Sequence, residues 1–336
     1  MSKSSIAQNR ITEIANAAGV SIATVSRAAN HKDRVAPDTY QKILDAAASL
    51  GYSLKRPEVS EAFEDIKYIM VGVPFIDDFF FNGIMDGIEA SANRHNCKLI
   101  VSKDLTHCTS IKEITSLCRT TNARGIVLLR NSLAPEDLHT LNRTIPVVQC
   151  CDIDERANIS TVGIDDALAA RHMTEYLISS GRRQIAFISN EYRIRHIRER
   201  ERGFLEAMSE NNIRVNPNFI IRLHDTTYAS ALSAATQLLS LPARPDAVFT
   251  SSDIYAAAIH KAAKSMNLRI PEDIAISGFD NTLISQVPDP SITTVNQPRY
   301  QMGYIAFEQL IEQLGNPKME PQNIVLDTEL VIRQST

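Results

Sequence analysis

The chain has 336 residues, a length that corresponds to two or three domains. Its residues are 44% hydrophobic and 22% charged, which supports a folded core and excludes disordered and fibrous proteins. The sequence has no apolar run of the ~18 residues needed to span a bilayer, and residues 1–10 lack the apolar segment of a secretory signal. The five cysteines form no CxxC pair and have no metal-ligand spacing. We therefore expect a cytoplasmic protein with no membrane association, no metal and no cofactor.

Charge is distributed unevenly along the chain. Residues 1–56 carry eight Lys and Arg against four Asp and Glu, whereas the other 280 residues carry 27 basic and 35 acidic residues. A basic segment attached to an acidic body is typical of a protein in which only that segment contacts nucleic acid.

The N-terminal 50 residues have the pattern of three short helices. Residues 11–18 repeat apolar side chains at helical spacing, and Gly19 ends this first helix. Ser21 is a suitable N-cap for a second helix that reaches about Asn30, and a third helix starts near Asp38. Two short helices joined by a tight turn, with a third packed behind them, form a helix-turn-helix.

One face of the second helix suits contact with DNA. Val25, Ala28 and Ala29 are expected to face the other helices, which leaves a face of short side chains with a single cation, Arg27. An Arg can bind guanine O6 and N7 in the major groove, while hydroxyl groups suit phosphate oxygens. The alternative is a small helical bundle whose surface happens to carry short side chains.

From Ile66 onward, short apolar runs alternate with helical segments such as Leu168–Ser179 and Ser230–Leu239. This alternation predicts an α/β fold with parallel sheets covered by helices on both faces. Eight runs exceed one comfortable open sheet, so we divide them into two lobes near Asp165. The candidate strands are Tyr68–Val73, Lys98–Ser102, Gly125–Leu129, Val147–Cys151, Gln184–Ser189, Phe219–Leu223, Ala247–Ser251 and Ile274–Gly278.

Several motifs, spread in order over nearly the whole chain, resemble the LacI–GalR family of repressors. In the helical segment these are AGVSIATVSRAAN (residues 18–30) and Leu50-Gly51-Tyr52. The motifs in the remaining chain are Ile270–Ile274, Gly278–Asn281, Ile292–Val295, Gln297-Pro298 and Leu330–Arg333. The resemblance implies a periplasmic-binding-protein-like body of two lobes that the chain crosses three times, with a small-molecule effector between them.

The predicted organisation has three parts. Residues 1–52 form a small all-helical helix-turn-helix domain, residues 53–65 a hinge or linker, and residues 66–336 an effector-binding and dimerisation domain. Within that domain, lobe 1 takes about 66–165 and 295–326, and lobe 2 takes about 166–294 and 327–336. We place the crossings near Asp165, Val295 and Asp327.

The resemblance also implies which residues contact DNA. Ile22, Ala23 and Arg27 match positions that read bases. The positions that match phosphate contacts are Ser21, Thr24, Ser26 and Asn30. Lys55 and Arg56 of the linker can contact further phosphates.

The linker departs from the family pattern. Leu54-Lys55 replaces Pro-Asn, and Glu61 occupies the place of the Leu that wedges into the minor groove. Because a carboxylate will not enter a groove lined with phosphates, a hinge helix that kinks DNA is in doubt here.

The family match implies an effector site, and three of its residues also have structural interpretations. Phe80 and Phe81 match positions that line the cleft, although three consecutive Phe can equally anchor a loop to a helix. Asp280 ends a strand, where open α/β sheets bind ligands, and it can also cap the next turn. The remaining matched positions are His196, Arg200, Thr226, Ser252 and Asp253.

The arginines around Arg200 bear on the charge of the effector. Five Arg lie between residues 193 and 202. Such a run is often an exposed helix face neutralised by Glu, but only Arg200 is needed to bind a neutral sugar. We therefore favour an acidic or phosphorylated sugar within a sugar-class or nucleoside-class effector.

The sequence contains none of the motifs of common enzymes: no GxGxxG, no GxSxG and no HExxH. We predict that the protein is not an enzyme but a DNA-binding transcriptional regulator, a repressor gated by the effector. We expect a homodimer on a palindromic double-stranded operator. The alternatives are a regulator controlled mainly by a protein corepressor, and a solute-binding protein without a regulatory role.

Overall fold

The structure, a computed structural model, describes residues 12–30, 35–50, 67–190, 194–224 and 227–336. The chain divides into two compact units, an N-terminal unit of Met1–Ile66 and a C-terminal unit of Lys67–Thr336. In the described parts of the chain, no helix combines the length and the apolar character needed to cross a membrane.

The described part of the N-terminal unit contains three helices: α1 (residues 12–18), α2 (Ile22–Asn30) and α3 (Pro37–Ser49). Gly19 has φ +65°, a left-handed conformation that glycine adopts without strain, and it ends α1. The three predicted helices are confirmed, and so is the inward position of Val25 and Ala28, whereas the side chain of Ala29 lies outside the described part of the chain. The small core consists of Ile14, Ala15, Val25, Ala28, Ile43 and Ala47.

The C-terminal unit is built on two six-stranded sheets. Sheet 1 has the order β11-β5-β4-β3-β1-β2 and sheet 2 the order β12-β10-β9-β8-β6-β7. Sheet 1 consists of β1 (Lys67–Gly72), β2 (Cys97–Ser102), β3 (Ala123–Leu128), β4 (Val147–Cys150), β5 (Thr161–Ile164) and β11 (Asn323–Leu326). Sheet 2 consists of β6 (Ile185–Ser189), β7 (Ile220–Arg222), β8 (Ala247–Thr250), β9 (Ala275–Asp280), β10 (Thr293–Asn296) and β12 (Glu329–Val331). All neighbouring strands are parallel except β10 and β12.

Eight helices cover these sheets. We call sheet 1 with its helices lobe 1, and sheet 2 with its helices lobe 2. Lobe 1 carries α4 (Phe79–Arg94), α5 (Ile111–Thr121), α6 (Pro135–Asn142) and α11 (Arg299–Gly315). Lobe 2 carries α7 (Asp166–Ser179), α8 (Arg195–Glu210), α9 (Tyr228–Leu239) and α10 (Asp253–Ser265). The chain passes between the sheets after β5, after β10 and after β11.

The strand predictions succeed where the chain contains a short apolar run. All eight candidate strands are present, with ends that differ by at most two residues. Four short strands were not predicted: β5, β10, β11 and β12. Their three or four residues include Thr, Gly, Asn or Glu, and β11 alternates exposed and half-buried positions as an edge strand does.

Close packing of α4 against α11 depends on two glycines. A Cβ on Gly87 would fall on the carbonyl oxygen of Tyr300, and it would also lie 2.8 Å from the amide nitrogen of Tyr304. A Cβ on Gly303 would likewise fall on the carbonyl oxygen of Ile84. The two helix backbones therefore touch directly, and no side chain larger than hydrogen fits at either position.

We expect Gly87→Ala to lower the free energy of unfolding by about 1–3 kcal/mol, because the two helices must separate to admit the methyl group. The matched control is Gly315→Ala at the end of α11, where an added Cβ meets no atom within 4 Å. Urea unfolding followed by circular dichroism measures both variants. Equal stability of the two would contradict the direct backbone contact.

Candidate functional site

The exposed face of α2 starts at a capped N-terminus. Ser21 Oγ accepts a hydrogen bond from the backbone N–H of Thr24 at 3.1 Å and lies 2.8 Å from Thr24 Oγ1. Ser21 therefore satisfies one of the free N–H groups of the first turn, as its role as N-cap requires.

Of the residues predicted to contact DNA, four are exposed around this helix. Ser21, Ala23 and Arg27 are exposed, and Ile22 exposes 49% of its surface although it is aliphatic. Thr24 is half-buried. Ser26 and Asn30 lie on α2, but their side chains are outside the described part of the chain, as are Lys55 and Arg56 entirely.

A cavity of about 380 Å³ lies between the two lobes of the C-terminal unit, and we call it the cleft. The strand order places it. In each sheet the order of strands reverses at the first strand, which is β1 in sheet 1 and β6 in sheet 2. The second strand lies on one side of it, and the third strand lies on its other side. Ligands of open α/β sheets bind at the carboxyl ends of strands at such a reversal, and here the two reversals face one cavity. The lining residues that directly follow strands are Leu129, Arg130, Cys151, Asp152, Asn190, Ser251 and Ser252.

Lobe 1 contributes an aromatic wall, Phe79–Phe81, at the start of α4. Asp78 caps this helix, since its Oδ1 accepts from the N–H of Phe80 at 2.8 Å. The Phe80 and Phe81 rings pack edge to face with centroids 5.1 Å apart. Both rings line the cleft and are only half-buried, so they offer a surface on which another ring can pack.

Lobe 2 contributes a polar wall centred on Asp280. Its Oδ2 accepts from Ser252 Oγ and its Oδ1 from Gln297 Nε2, both at 2.8 Å. Asp280 has φ +107°, a strained backbone conformation for a residue with a side chain. Burial raises the pKa of this carboxyl to about 7, even though the Arg200 guanidinium opposes the shift.

Arg200 joins three elements behind that wall. Its Nε donates to Asp166 Oδ1 at 2.8 Å, its Nη1 donates to the carbonyl oxygen of Ser251 at 2.7 Å, and Nη1 lies 3.6 Å from Asp280 Oδ1. The guanidinium also lies 3.6 Å above the centre of the Phe279 ring. Arg200 borders the cleft, but two carboxylates already balance its charge.

The placement of Asp253 does not support the predicted contact with an effector. Asp253 begins α10 beneath the wall, and it does not line the cleft. Its Oδ2 accepts from the N–H and Oγ1 of Thr282, and its Oδ1 accepts from Thr294 Oγ1. With both oxygens engaged and the side chain fully buried, Asp253 holds the turn after β9 in place.

His196 and Asp152 form the remaining polar corner of the cleft. His196 Nδ1 is buried and lies 3.9 Å from Asp152 Oδ1, which is beyond hydrogen-bonding distance. Burial, followed by the charges of Arg200, Arg130 and Arg195, holds the pKa of His196 well below its usual value, so the imidazole is neutral at pH 7. Burial raises the pKa of Asp152 to about 6 against the opposing charge of Arg130.

The cleft thus brings together six of the eight residues predicted for the effector site: Phe80, Phe81, His196, Arg200, Ser252 and Asp280. Thr226 lies outside the described residues. Sequence reasoning missed Arg130 and Asp152, although both follow predicted strands and the rule applied to Asp280 would have identified them. No group of three or more His, Cys, Asp or Glu within the described ranges could hold a metal ion.

Two known sequence families match parts of the chain, one in each unit. Residues 10–54 match the family described as "Bacterial regulatory proteins, lacI family". Residues 174–336 match the "Periplasmic binding protein-like domain".

Individual proteins are similar over almost the entire chain. The HTH-type transcriptional repressor CytR of Escherichia coli (strain K12) is 33% identical over 325 residues, which cover 96% of this chain and 95% of CytR. Catabolite control protein A of Priestia megaterium is 31% identical over 332 residues, 97% of this chain and 98% of that protein. The structure of a transcriptional regulator CelR–cellobiose complex has a TM-score of 0.71 and 26% identity, and covers 97% of this chain and 99% of CelR.

The buried carboxyl of Asp152 predicts a pH-dependent stability. Between the usual Asp pKa of about 3.9 and its folded value of about 6, the folded protein retains a proton that the unfolded chain has lost. Stability therefore falls as the pH rises through this window, and Asp152→Asn should remove that loss. We expect the Tm of the variant, relative to the native protein, to increase by about 2–4 °C between pH 4 and pH 7.

The control is Asp154→Asn, two residues away. The Arg156 guanidinium is the main cause of the lowered pKa of Asp154, so its stabilising contribution is present above about pH 4. This variant should have a slightly reduced Tm that changes little between pH 5 and pH 8. A Tm difference for Asp152→Asn that is independent of pH would contradict the assignment.

Proposed function

The chain belongs to the LacI family of bacterial regulatory proteins, and from this premise we propose that a small effector bound in the cleft controls the affinity of the protein for DNA. The protein is a DNA-binding transcriptional repressor and not an enzyme. The proposal adds three statements: the residues of α2 that read the operator, the chemical class of the effector, and a homodimer in the cytoplasm on a palindromic site.

The surface of α2 supports its role as the reading helix. Val25 and Ala28 are buried in the core of the N-terminal unit, so the opposite side of the helix is free to face a partner. That side presents an exposed aliphatic residue, Ile22, and one exposed cation, Arg27. An exposed aliphatic side chain suits a thymine methyl group, and a guanidinium suits guanine O6 and N7.

The charges around the cleft support a neutral effector. Of the described residues that line it, Arg130 and Arg200 carry permanent positive charge. Arg200 faces Asp166 and Asp280, and Arg130 lowers the pKa of Asp152. Each guanidinium therefore already has a carboxylate to balance it, and the rim adds Asp77 and Asp78. Among the described residues, a phosphate or carboxylate entering this cleft would meet no unbalanced cation.

This argument revises the preference for an anionic sugar that the sequence suggested. The preference assumed that Arg193 and Arg195 crowd the entrance to the cleft, and Arg193 lies outside the described residues. Arg195 instead pairs with Glu155 at 2.7 Å, and Arg202 pairs with Glu199 and Glu206 along the outside of α8. The bland interpretation of the run, an exposed face neutralised by Glu, fits these residues.

The cleft offers what a polar ring needs. The Phe80 and Phe81 rings suit the apolar face of a sugar or a base. Opposite them, Ser252, Asp280 and Asn190 provide hydroxyl, carboxyl and amide groups that can bind ligand hydroxyls. The single observation that carries the proposal is this meeting of an aromatic wall and a charge-balanced polar wall in one cavity. We therefore propose a neutral sugar-class or nucleoside-class effector.

The DNA half of the proposal predicts the effect of Arg27→Ala. We expect a loss of about 1–3 kcal/mol on the cognate operator and little change on unrelated DNA, because a base contact is lost. Fluorescence anisotropy with labelled duplexes measures the affinities for the operator and for unrelated DNA. A stoichiometric titration by the same method should saturate at two protomers per palindrome. Lys42→Ala, which removes an exposed cation from α3, is the control. An equal loss on all sequences for Arg27→Ala would contradict base reading.

The effector half is tested with a panel of D-glucose, D-ribose, cellobiose, the four ribonucleosides, and the phosphates of the same sugars and nucleosides. Neutral members should change operator affinity, and the phosphates should not. Phe80→Ala and Ser252→Ala should each raise the effector concentration needed by about tenfold, because they remove a packing surface and a hydroxyl. Operator binding without effector should be unchanged, since cleft and α2 belong to separate units.

Asp273→Asn is the matched control and should respond like the native protein, because Asp273 is a half-buried carboxylate of lobe 2 that pairs with Arg269 and does not line the cleft. A response restricted to phosphorylated compounds would overturn the neutral class. A normal response in Phe80→Ala and Ser252→Ala would overturn the location in the cleft.

A further inference from the structure

Arg299 links the two lobes beside the cleft. It is the first residue of α11, directly after the chain passes from sheet 2 to lobe 1. Its Nη1 donates to the carbonyl oxygen of Phe79 at 2.8 Å, and its Nη2 donates to the carbonyl oxygen of Asn281 at 3.0 Å. One planar guanidinium therefore joins the first residue of the aromatic wall to the residue that follows Asp280 in the polar wall.

The lobe 2 end of this link is fixed by its own hydrogen bonds. The backbone N–H of Asn281 donates to Thr294 Oγ1 at 3.3 Å, and the side-chain Nδ2 of Asn281 donates to Asn296 Oδ1 at 3.0 Å. Its Oδ1 accepts from Arg333 Nη2 at 2.7 Å. The carbonyl that Arg299 contacts thus belongs to a residue that three further hydrogen bonds hold in place.

The lobe 1 end is shaped to receive the Arg299 side chain. Gly83 lies one turn into α4, and a Cβ placed there would be 3.3 Å from both the Cβ and the Nη1 of Arg299. Such a distance is tighter than an ordinary van der Waals contact, so the guanidinium would have to move. The absence of a side chain at residue 83 lets Arg299 lie flat against the first turn of α4.

We propose that Arg299 is a positioning residue that holds the aromatic wall of the cleft against its polar wall and thereby sets effector affinity. The part of the proposal that concerns affinity rests on the proposed effector function. A guanidinium has two donors at a fixed separation, so the two carbonyl oxygens keep a defined distance while both bonds exist. A rotation of one lobe relative to the other that changes the distance between these two oxygens must break one of these bonds.

The link itself is tested without an effector. Hydrogen–deuterium exchange of the full chain, read by mass spectrometry, compares Arg299→Met and Arg299→Lys with the native protein. We expect faster exchange at the start of α4 and in the turn around Asn281 for Arg299→Met, and a smaller change for Arg299→Lys, which keeps one donor group. The rest of the molecule should exchange at native rates.

Arg94→Met is the matched control. Arg94 Nη1 donates to Tyr304 Oη at 2.7 Å, so it also joins α4 to α11, but it does so within lobe 1. Its substitution should leave exchange around Asn281 unchanged. If Arg299→Met and Arg94→Met give the same exchange pattern, Arg299 serves only helix packing and the proposal fails.

The affinity is tested by a double-mutant cycle that uses D-ribose, D-glucose, cellobiose and the four ribonucleosides as probes in calorimetry. Arg299→Met should weaken binding about tenfold, as expected for lost hydrogen bonds to a charged group, and Arg299→Lys should restore part of it. Gly83→Ala should weaken binding more in the native background than in Arg299→Met, because its contact with the guanidinium exists only in the former. Additive effects would overturn the proposal.

The two levels fail separately. If no probe binds the native protein, the proposed effector class is wrong, and the exchange experiment still decides whether Arg299 holds the walls together. If probes bind and Arg299→Met binds them with native affinity, the effector function stands and the positioning role is wrong.

Discussion

The buried guanidinium of Arg200 is the interaction on which the arrangement of the cleft depends. It exposes only 5% of its surface, and it ties α8 to the start of α7 through Asp166 and to the end of β8 through Ser251. A buried cation requires both a balancing charge and hydrogen bonds, because its transfer from water is costly. Asp166, Asp280, the Ser251 carbonyl and the Phe279 ring meet that requirement together. The carboxyl ends of the strands in sheet 2 are therefore held in one geometry, and Asp280 is presented to the cavity.

The three passages of the chain between the sheets would let the proposed effector in this cavity act on both lobes. Two of these passages carry residues that hold the polar wall. Asp166, which follows β5, accepts a hydrogen bond from Arg200, and Gln297, which follows β10, donates to Asp280. A ligand that contacts both walls interacts with both lobes and favours the lobe orientation in which its contacts are complete. If DNA binding also depends on the lobe orientation, the two binding events are linked. The ligand then changes the affinity for DNA by the same factor by which DNA changes the affinity for the ligand.

The sequence predicts the fold wherever a local pattern is sufficient. Buried parallel strands such as β4 and β8 are apolar runs that any pattern search finds, and the caps at Ser21 and Gly19 mark the ends of short helices. Edge and connecting strands such as β5 and β12 have only three or four residues and acquire their conformation from the neighbouring strand. Their existence depends on tertiary pairing, which leaves no periodic signal in the chain.

The sequence is limited in the same way for the cleft, because it does not show which charged groups are already paired. Asp253 and Asp280 both match acidic positions of the family, and both stand at the carboxyl ends of neighbouring strands. One is consumed by Thr282 and Thr294, and the other faces the cavity. The arginine run likewise contains one residue that borders the cleft and others that pair with Glu outside it. A residue type at a given position predicts which chemistry is available there. Whether that chemistry remains available to a ligand depends on which neighbours have already used its donors and acceptors, and those neighbours come from distant parts of the chain.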